Sequence, residues 1–472
     1  MGKIKRITLL LVVTIFSMIM FTAFSGIKDN SKTFQPLNLF PEPPRPAGQT
    51  DALELRCDPI DTVHIGIIGL GMRGYGAVYR LSFLKTAKIS AICELSQAKV
   101  DRALKLLKER KYPEPDVYLG KDEWKKMCQR DDIDLVYIVT NWGNHTPMAV
   151  YAMEHGKHAV SEVPAAVTID ECWQLVNTVE KTRKHFMMLE NCVYDYFEMA
   201  THKMAEEGLF GEIVHAEGSY IHDLRALNFN TTENFGGYWK MWRLEQNAKR
   251  NGNLYPTHGF GPLCQIMNIH RGDRMEYVTS VSTNQFGMTQ FAKKEFGENS
   301  DFAKRKYKNG DMNTSIIRTA NGKTLMIQHD VTSPRPYNRR HMISGTKGYA
   351  CKYPVQEVVL DSDYHSGHHK PLPEDELKKL LKKYEHPIVT EIGKEAKKVG
   401  GHGGMDFIMD FRLIYCLNNG LPLDEDVYDA AEWSALAELS EKSVENHGTP
   451  VKYPDFTRGA WKKLHKVTYY HK

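Results

Sequence analysis

Apolar residues between Asp61 and Asn191 fall in short continuous runs separated by amphipathic stretches. Val63 to Gly71, Ile89 to Glu94, Leu135 to Thr140, His158 to Val163 and Phe186 to Asn191 are too short for helices and apolar on both faces. That is the pattern of parallel strands buried between helix layers. The segments between them suit helices, so residues 61–191 read as a βαβ series, a Rossmann domain in an α/β chain. Beyond Asn191 the strands lengthen and alternate. Ile213 to Ile221, Tyr277 to Thr283, Thr314 to Ala320 and Lys323 to Val331 predict an open sheet, the last two joined at the hairpin signal Asn321-Gly322. Two long amphipathic helices, Met405 to Leu417 and Val427 to Glu445, follow. Residues 192–472 therefore read as an α+β domain with a mostly antiparallel open sheet and helices on one face.

The termini and composition add limits. Lys3, Lys5 and Arg6 precede an apolar run from Ile7 to Phe24, with small residues at Ala23 and Ser25, which predicts a signal peptide over residues 1–25. The run is also long enough for a retained membrane anchor, and that alternative stays open. Export to the periplasm or beyond the cell is expected, although Lys5-Arg6 is not a twin-arginine signal. Residues 26–60 carry Pro36, Pro41, Pro43, Pro44 and Pro46 and predict an extended, proline-rich tether. At 472 residues, 42% of them hydrophobic, the chain exceeds one ordinary core and is expected to form two domains. Its formal net charge of +4 is spread among interleaved acids and bases, which excludes the basic stripe of a nucleic-acid binder. The eight cysteines lack the paired short spacing of a zinc site; most read as buried small hydrophobes, and no disulfide partners can be chosen.

The first predicted strand runs into Gly69-Leu-Gly71-Met-Arg-Gly74. Glycine permits the tight turn and close approach of a pyrophosphate, and the helix N-terminus that follows attracts negative charge. Glu94 ends the next strand, where an acid takes the ribose hydroxyls and repels a 2′-phosphate, so NAD is favoured over NADP. Arg73 pulls mildly the other way. Trp142, Gly143, Asn144 and His145 follow the strand ending at Thr140, and Glu162 and Val163 end the next, where ligands bind in open α/β sheets.

GxGxxG, a loop ending in Asn144-His145-Thr146-Pro147 and Glu162-x-Pro164 together resemble the Gfo/Idh/MocA oxidoreductases over roughly residues 61–450. Many dehydrogenases of that group carry lysine where this chain has Val163. Ser161-Glu-Val-Pro-Ala-Ala166, Tyr220-Ile-His-Asp-Leu-Arg225, Tyr255-Pro256-Thr257-His258-Gly259 and Ser333-Pro-Arg-Pro-Tyr337 are similar to glycoside hydrolase family 109. Members are NAD-dependent, retaining α-N-acetylgalactosaminidases. The resemblance implies NAD contacts from Met72, Arg73, Glu94, the loop from Trp142 to His145, Glu162, Val163 and Asn191. It implies sugar contacts from Tyr220, Arg243, Tyr255, Pro256, Thr257 and Tyr337, with His258 leading for catalysis.

The spacing supplies no pair of carboxylates across a sugar, since Asp223 and Glu162 lie on separate segments. The implied route is instead transient C3 oxidation with bound NAD, elimination and addition of water. It needs proton carriers, for which His258, Tyr194 and Tyr337 are the candidates. Local alternatives stand beside these roles: His258 as a helix cap, Tyr337 as a loop anchor, Tyr220 as sheet packing. Tyr238, Trp239 and Trp242 can stack on sugars or pack under a loop. His222 and Asp223 lack a third ligand, so no metal is expected. The expected partner is a glycan ending in N-acetylgalactosamine, with homo-oligomerisation open. A sugar or polyol dehydrogenase and a non-catalytic sugar-binding protein are the alternative readings.

Overall fold

Six strands form the first sheet: β1 (Val63–Ile68), β2 (Ala87–Glu94), β3 (Asp116–Leu119), β4 (Leu135–Ile138), β5 (His158–Ser161) and β6 (Phe186–Met188). All neighbours are parallel, in the order β3-β2-β1-β4-β5-β6, the doubly wound arrangement predicted by the continuous apolar runs. β3 escaped the pattern because it is an edge strand: Val117 and Leu119 lie exposed, so it offers no buried run. β2 ends with its run at Glu94, whereas β1, β4, β5 and β6 stop two or three residues before the apolar runs do. Those residues become the buried loops at the carboxyl end of the sheet, where the site lies.

This computed structural model describes residues 35–232, 236–361 and 370–466. The predicted signal or anchor over 1–25 and the tether up to residue 34 lie outside the described residues. Residues 38–60 run without helix or strand, with turns at 46–49 and 52–55, but they are not a free tether. Ala52 and Leu55 join the core, Ile60 N donates to Leu417 O at 3.1 Å, and Arg45 reaches Glu180 with two 3.0 Å bonds. Glu180 is the cause: a carboxylate buried on the Ile169–Thr182 helix is balanced by Arg45 and by Arg458 at 2.9 Å.

The second sheet holds β7 (Ile213–Ile221), β8 (Met275–Ser282), β9 (Asn313–Thr319), β10 (Thr324–Asp330), β11 (Met342–Gly345), β12 (Gly348–Cys351), β13 (Glu357–Leu360) and β14 (Val451–Lys452). Its order is β13-β12-β11-β7-β10-β9-β8-β14, with only β7 and β10 parallel. Asn321-Gly322 turns β9 into β10 as expected, with Gly322 at φ +83°. β11 to β14 were not anticipated, since two to four residues are too few to show an alternation.

The expected amphipathic character of the two long helices needs correction. The helices Met405–Asn419 and Val427–Glu445 are buried on nearly every side rather than amphipathic. Met405–Asn419 packs on β1 and the Met72–Leu81 helix, while Val427–Glu445 is wedged between β8 and the Ile169–Thr182 helix. One apolar core therefore runs through both sheets, with a small satellite around Phe229, Leu244 and Met288. Inside it Arg80 Nε donates to Asp410 at 2.7 Å and Tyr137 Oη donates to the same carboxylate at 2.8 Å. All eight cysteines are free thiols, seven of them buried.

Arg80→Met should strand Asp410 as a buried, unbalanced charge and cost about 3–5 kcal/mol. Urea unfolding checks this; a loss under ~1 kcal/mol would contradict the assigned role.

Candidate active site

The three glycines of the first turn have separate physical duties. Gly69 sits at φ +94°, and a Cβ there would come 2.4 Å from Val139 O. At Gly74 a Cβ would meet Gly69 O at 1.9 Å, so the Met72–Leu81 helix lies directly on the turn. Gly71 alone faces open space, the cradle a pyrophosphate needs. Glu94 completes the turn by accepting from Leu70 N at 2.7 Å and Leu95 N at 2.7 Å, with its remaining lone pairs free for ribose hydroxyls. These residues open onto a cavity of about 720 Å³ above the carboxyl ends of β1, β2 and β4, the switch point of the sheet. The donor set and the space fit NAD.

Arg73 does not offer its charge to a 2′-phosphate. Its Nε donates to Glu162 at 2.7 Å and its Nη1 to Asp406 at 2.8 Å. Asp406 also meets Arg80 at 3.5 Å, accepts from the Asn191 amide, and lies 3.0 Å from His402 Nδ1. Burial pushes the Asp406 carboxyl up, but Arg73, His402 and Arg80 together hold it well below its ordinary value. His402 and Asp406 were missed in the sequence. Their only local signal is the glycine run flanking His402, whose residue Gly401 lies against Asp406.

The other half of the cavity is aromatic. Arg243 is 4% exposed, with its guanidinium 4.4 Å from the Tyr255 ring centre, 5.1 Å from Trp142, 5.4 Å from Tyr238 and 5.6 Å from Tyr220. Nη1 donates to Tyr238 Oη at 2.9 Å, and among the described residues Nη2 has no hydrogen-bond partner. An unspent donor on a caged cation is suited to a polar group of a ligand. Trp142 and Tyr255 stack at 5.7 Å, and Tyr220 Oη lies 3.1 Å from His222 Nδ1. Burial, then the charge of Arg243, lowers the pKa of His222.

His258 stands at the start of the Thr257–Ile266 helix, which rests on β7 where Gly218 and Gly259 touch backbone to backbone. Its Nδ1 lies 2.7 and 2.9 Å from the Glu190 oxygens and donates to them, which leaves Nε2 beside Tyr255 Oη at 3.5 Å. Glu190 is fully buried, and Cys192 N donates to it at 3.1 Å. Burial pushes its carboxyl up, but His258 and these donors draw it below the ordinary value. Sequence reading passed over Glu190, one residue short of Asn191, because its partner is 68 residues away.

Met72, Arg73, Glu94, Trp142, Asn144, Glu162, Val163, Asn191, Tyr220, Arg243, Tyr255 and His258 all line this one cavity. Others do not reach it. His145 is wholly buried, with Nδ1 2.7 Å from Pro164 O and Nε2 3.1 Å from Thr140 O, so it ties two cofactor loops together. Gly143 faces solvent, and Pro256 and Thr257 only shape the helix start that presents His258. Tyr194 is corrected as a proton carrier: its turn points inward and its hydroxyl donates to Asp424 at 3.3 Å, a carboxylate that Arg412 holds at 2.6 Å. Tyr337 stands one ring further out, 5.0 Å from His222. Asp223 is taken by Arg225 at 2.7 Å rather than poised with His222 for a metal. Among the described residues two other sets, Glu190-Cys192-His258 and His270-Asp426-Asp429, bring three potential ligand atoms together. In the first the carboxylate is bonded to the imidazole, and in the second Arg271 takes Asp429 at 2.8 Å.

Comparison with known proteins agrees with this partition. Residues 63–190 match the oxidoreductase family, NAD-binding Rossmann fold, and residues 194–463 match the glycosyl hydrolase 109, C-terminal domain. An alpha-N-acetylgalactosaminidase of Bacteroides fragilis is 53% identical over 417 residues, 88% of this chain and 97% of that protein. A glycosyl hydrolase family 109 protein of Porphyromonas gingivalis is 52% identical, over 89% of this chain and 90% of the relative. Among solved structures, levoglucosan dehydrogenase in complex with NADH superposes with a TM-score of 0.63 at 18% identity, over 84% of this chain and all of that one. It shares the fold.

Glu94→Ala should leave Leu70 N and Leu95 N unpaired, weaken NAD binding about 10- to 100-fold and relax discrimination against NADP. Titration with both dinucleotides measures it, and an unchanged preference would remove Glu94 from the site. Asp406, with its pKa depressed in the fold, contributes stability that is complete above about pH 4 and is lost as pH falls below that. The urea stability gap between wild type and Asp406→Asn should therefore be widest at neutral pH and narrow on acidification; a gap that stays constant to pH 3 contradicts the linkage.

Proposed function

Because this chain belongs to glycosyl hydrolase family 109, we propose that it hydrolyses terminal α-linked N-acetylgalactosamine with net retention, using NAD without consuming it. The observation that carries the reading is the single cavity in which the dinucleotide turn and the Arg243–His258 chamber meet. Each carboxylate lining it is already engaged: Glu94 by backbone amides, Glu162 by Arg73, and Asp122 by Lys125 at 3.2 Å. An ordinary glycosidase needs two such groups free to act across the bond.

Bound NAD supplies reversible oxidation at C3 of the sugar, which acidifies the C2 proton and lets the C1 substituent leave. The turn around Gly71, with Glu94, would hold the dinucleotide, and Glu162, Val163 and Asn191, which line the same cavity, would face its reactive end. Proton exchange is then required at a ring hydroxyl or C2 and at the glycosidic oxygen. Two carboxylate-backed imidazoles are available. His258 is fixed by Glu190 in the tautomer that leaves Nε2 to accept a proton beside Tyr255, and His402, backed by Asp406, has its own Nε2 to exchange. The Arg243 Nη2 donor stabilises an oxygen that gains charge, and its burial among aromatic rings strengthens that interaction. Trp142 and Tyr255, stacked on each other, form part of the aromatic cage that holds Arg243. Val163, apolar at the position where related dehydrogenases carry lysine, provides no ammonium for net oxidation. The basic and apolar N-terminal pattern supports export, so the substrate is a glycan outside the cytoplasm.

Purified protein lacking residues 1–25 should release p-nitrophenol from its α-N-acetylgalactosaminide with no NADH accumulating, and lose that activity when stripped of NAD. NADH formed on free sugars without release would replace this reading with a dehydrogenase. His258→Ala should lower kcat about 10²- to 10⁴-fold with NAD still bound; turnover at the wild-type rate would exclude it from catalysis.

A further inference from the structure

The aromatic run Tyr238, Trp239 and Trp242 has no role in the scheme above beyond the Tyr238 bond to Arg243. It belongs to residues 236–243, which meet the cofactor half on both sides of the crevice. On the β2 side, Lys99 occupies the first turn of the Gln97–Glu109 helix, five residues after Glu94. Its Nζ lies 4.1 Å from the centre of the Trp239 ring. Lys99 is 8% exposed, lines the cavity, and has no carboxylate within ion-pair distance among the described residues. On the β4 side, Trp242 meets Trp142 edge to face at 5.1 Å, and the Arg243 guanidinium stands over the same Trp142 ring.

The crossing has its own support. Lys240 and Met241 adopt φ of +52° and +50°, a region that residues with side chains occupy when packing fixes them there. Met241 packs on the satellite cluster of Phe229, Leu244 and Met288, separate from the main core. The segment thus spans the crevice from a base of its own.

We propose that Trp239 closes on Lys99 as a latch retaining the adenosine half of NAD, an inference that rests on the NAD-dependent reading. The half is set by position, since the acid ending β2 takes the adenosine ribose and Lys99 follows it on the next helix. The chemistry calls for such a device. A dehydrogenase must exchange its cofactor at every turnover, whereas an enzyme that restores NAD within each cycle gains by keeping it. A buried ammonium with no carboxylate partner among the described residues is stabilised by the indole face and by an electron-rich ligand beneath it.

The full chain is loaded with NAD, freed of excess by gel filtration, and NAD release is followed with an enzymatic trap for free NAD. Trp239→Ala and Lys99→Met should each speed release about tenfold, the worth of one desolvated cation–ring contact, and Trp239→Phe should restore most of the retention. Both loss variants should also bind ADP-ribose more weakly while their affinity for nicotinamide mononucleotide holds. Release at the wild-type rate, or equal weakening of both fragments, overturns the latch. If Trp239→Ala does not fold, Lys99→Met carries the test alone. Failure of the parent reading is separable: wild-type protein that keeps NAD but releases no sugar fails as a hydrolase and leaves the latch standing.

Discussion

A buried ladder of charge joins the two halves of this protein. Glu162, Arg73, Asp406, Arg80 and Asp410 alternate in sign from the mouth of the cofactor crevice into the core, with links of 2.7 to 3.5 Å. Taking ions out of water is costly, and the cost is met only while every member has its partner. The ladder consequently dictates where the Met405–Asn419 helix can lie, and with it the His402 loop and the Asn191 amide. A Rossmann sheet alone would not need it; a site shared between two sheets does.

That shared site is built from groups prevented from satisfying one another. Arg243 is caged by aromatic rings instead of a carboxylate, leaving one guanidinium nitrogen for a ligand. The carboxylates that face the cavity are spent on backbone amides or cations, while Glu190 and Asp406 stand behind imidazoles rather than across a sugar. Behind Glu190 lies Glu425, which accepts from Glu190 N at 3.3 Å and whose carboxyl burial and the neighbouring Glu190 charge push up. This distribution sets two imidazoles, each backed by a carboxylate, beside the cavity. The nucleophile and acid of an ordinary glycosidase have no counterpart in it.

The turn at Gly69, Gly71 and Gly74, the acid at Glu94 and the parallel order of strands were legible in the sequence because each depends on residues close along the chain. Periodicity reports burial, so it found the strands covered on both faces and missed β3 and β11 to β14, which are exposed or very short. The motif carrying Tyr255 and His258 lines the cavity that also holds the dinucleotide turn, whereas Tyr194 and His145, singled out in the same way, turn their side chains into the core. A motif fixes where the backbone goes; which way a ring points is decided by what packs around it.

The sequence by itself determined a dinucleotide turn with an acid at the end of the next strand, and a second sheet. Tertiary structure alone decided that Glu190 backs His258, that Asp406 binds Arg73 from 333 residues away, and that Trp239 lies on Lys99. The reason is physical. Local patterns follow from backbone sterics and burial, which neighbours in sequence share, whereas pairing of buried charges and rings depends on the one packing that leaves none of them unbalanced.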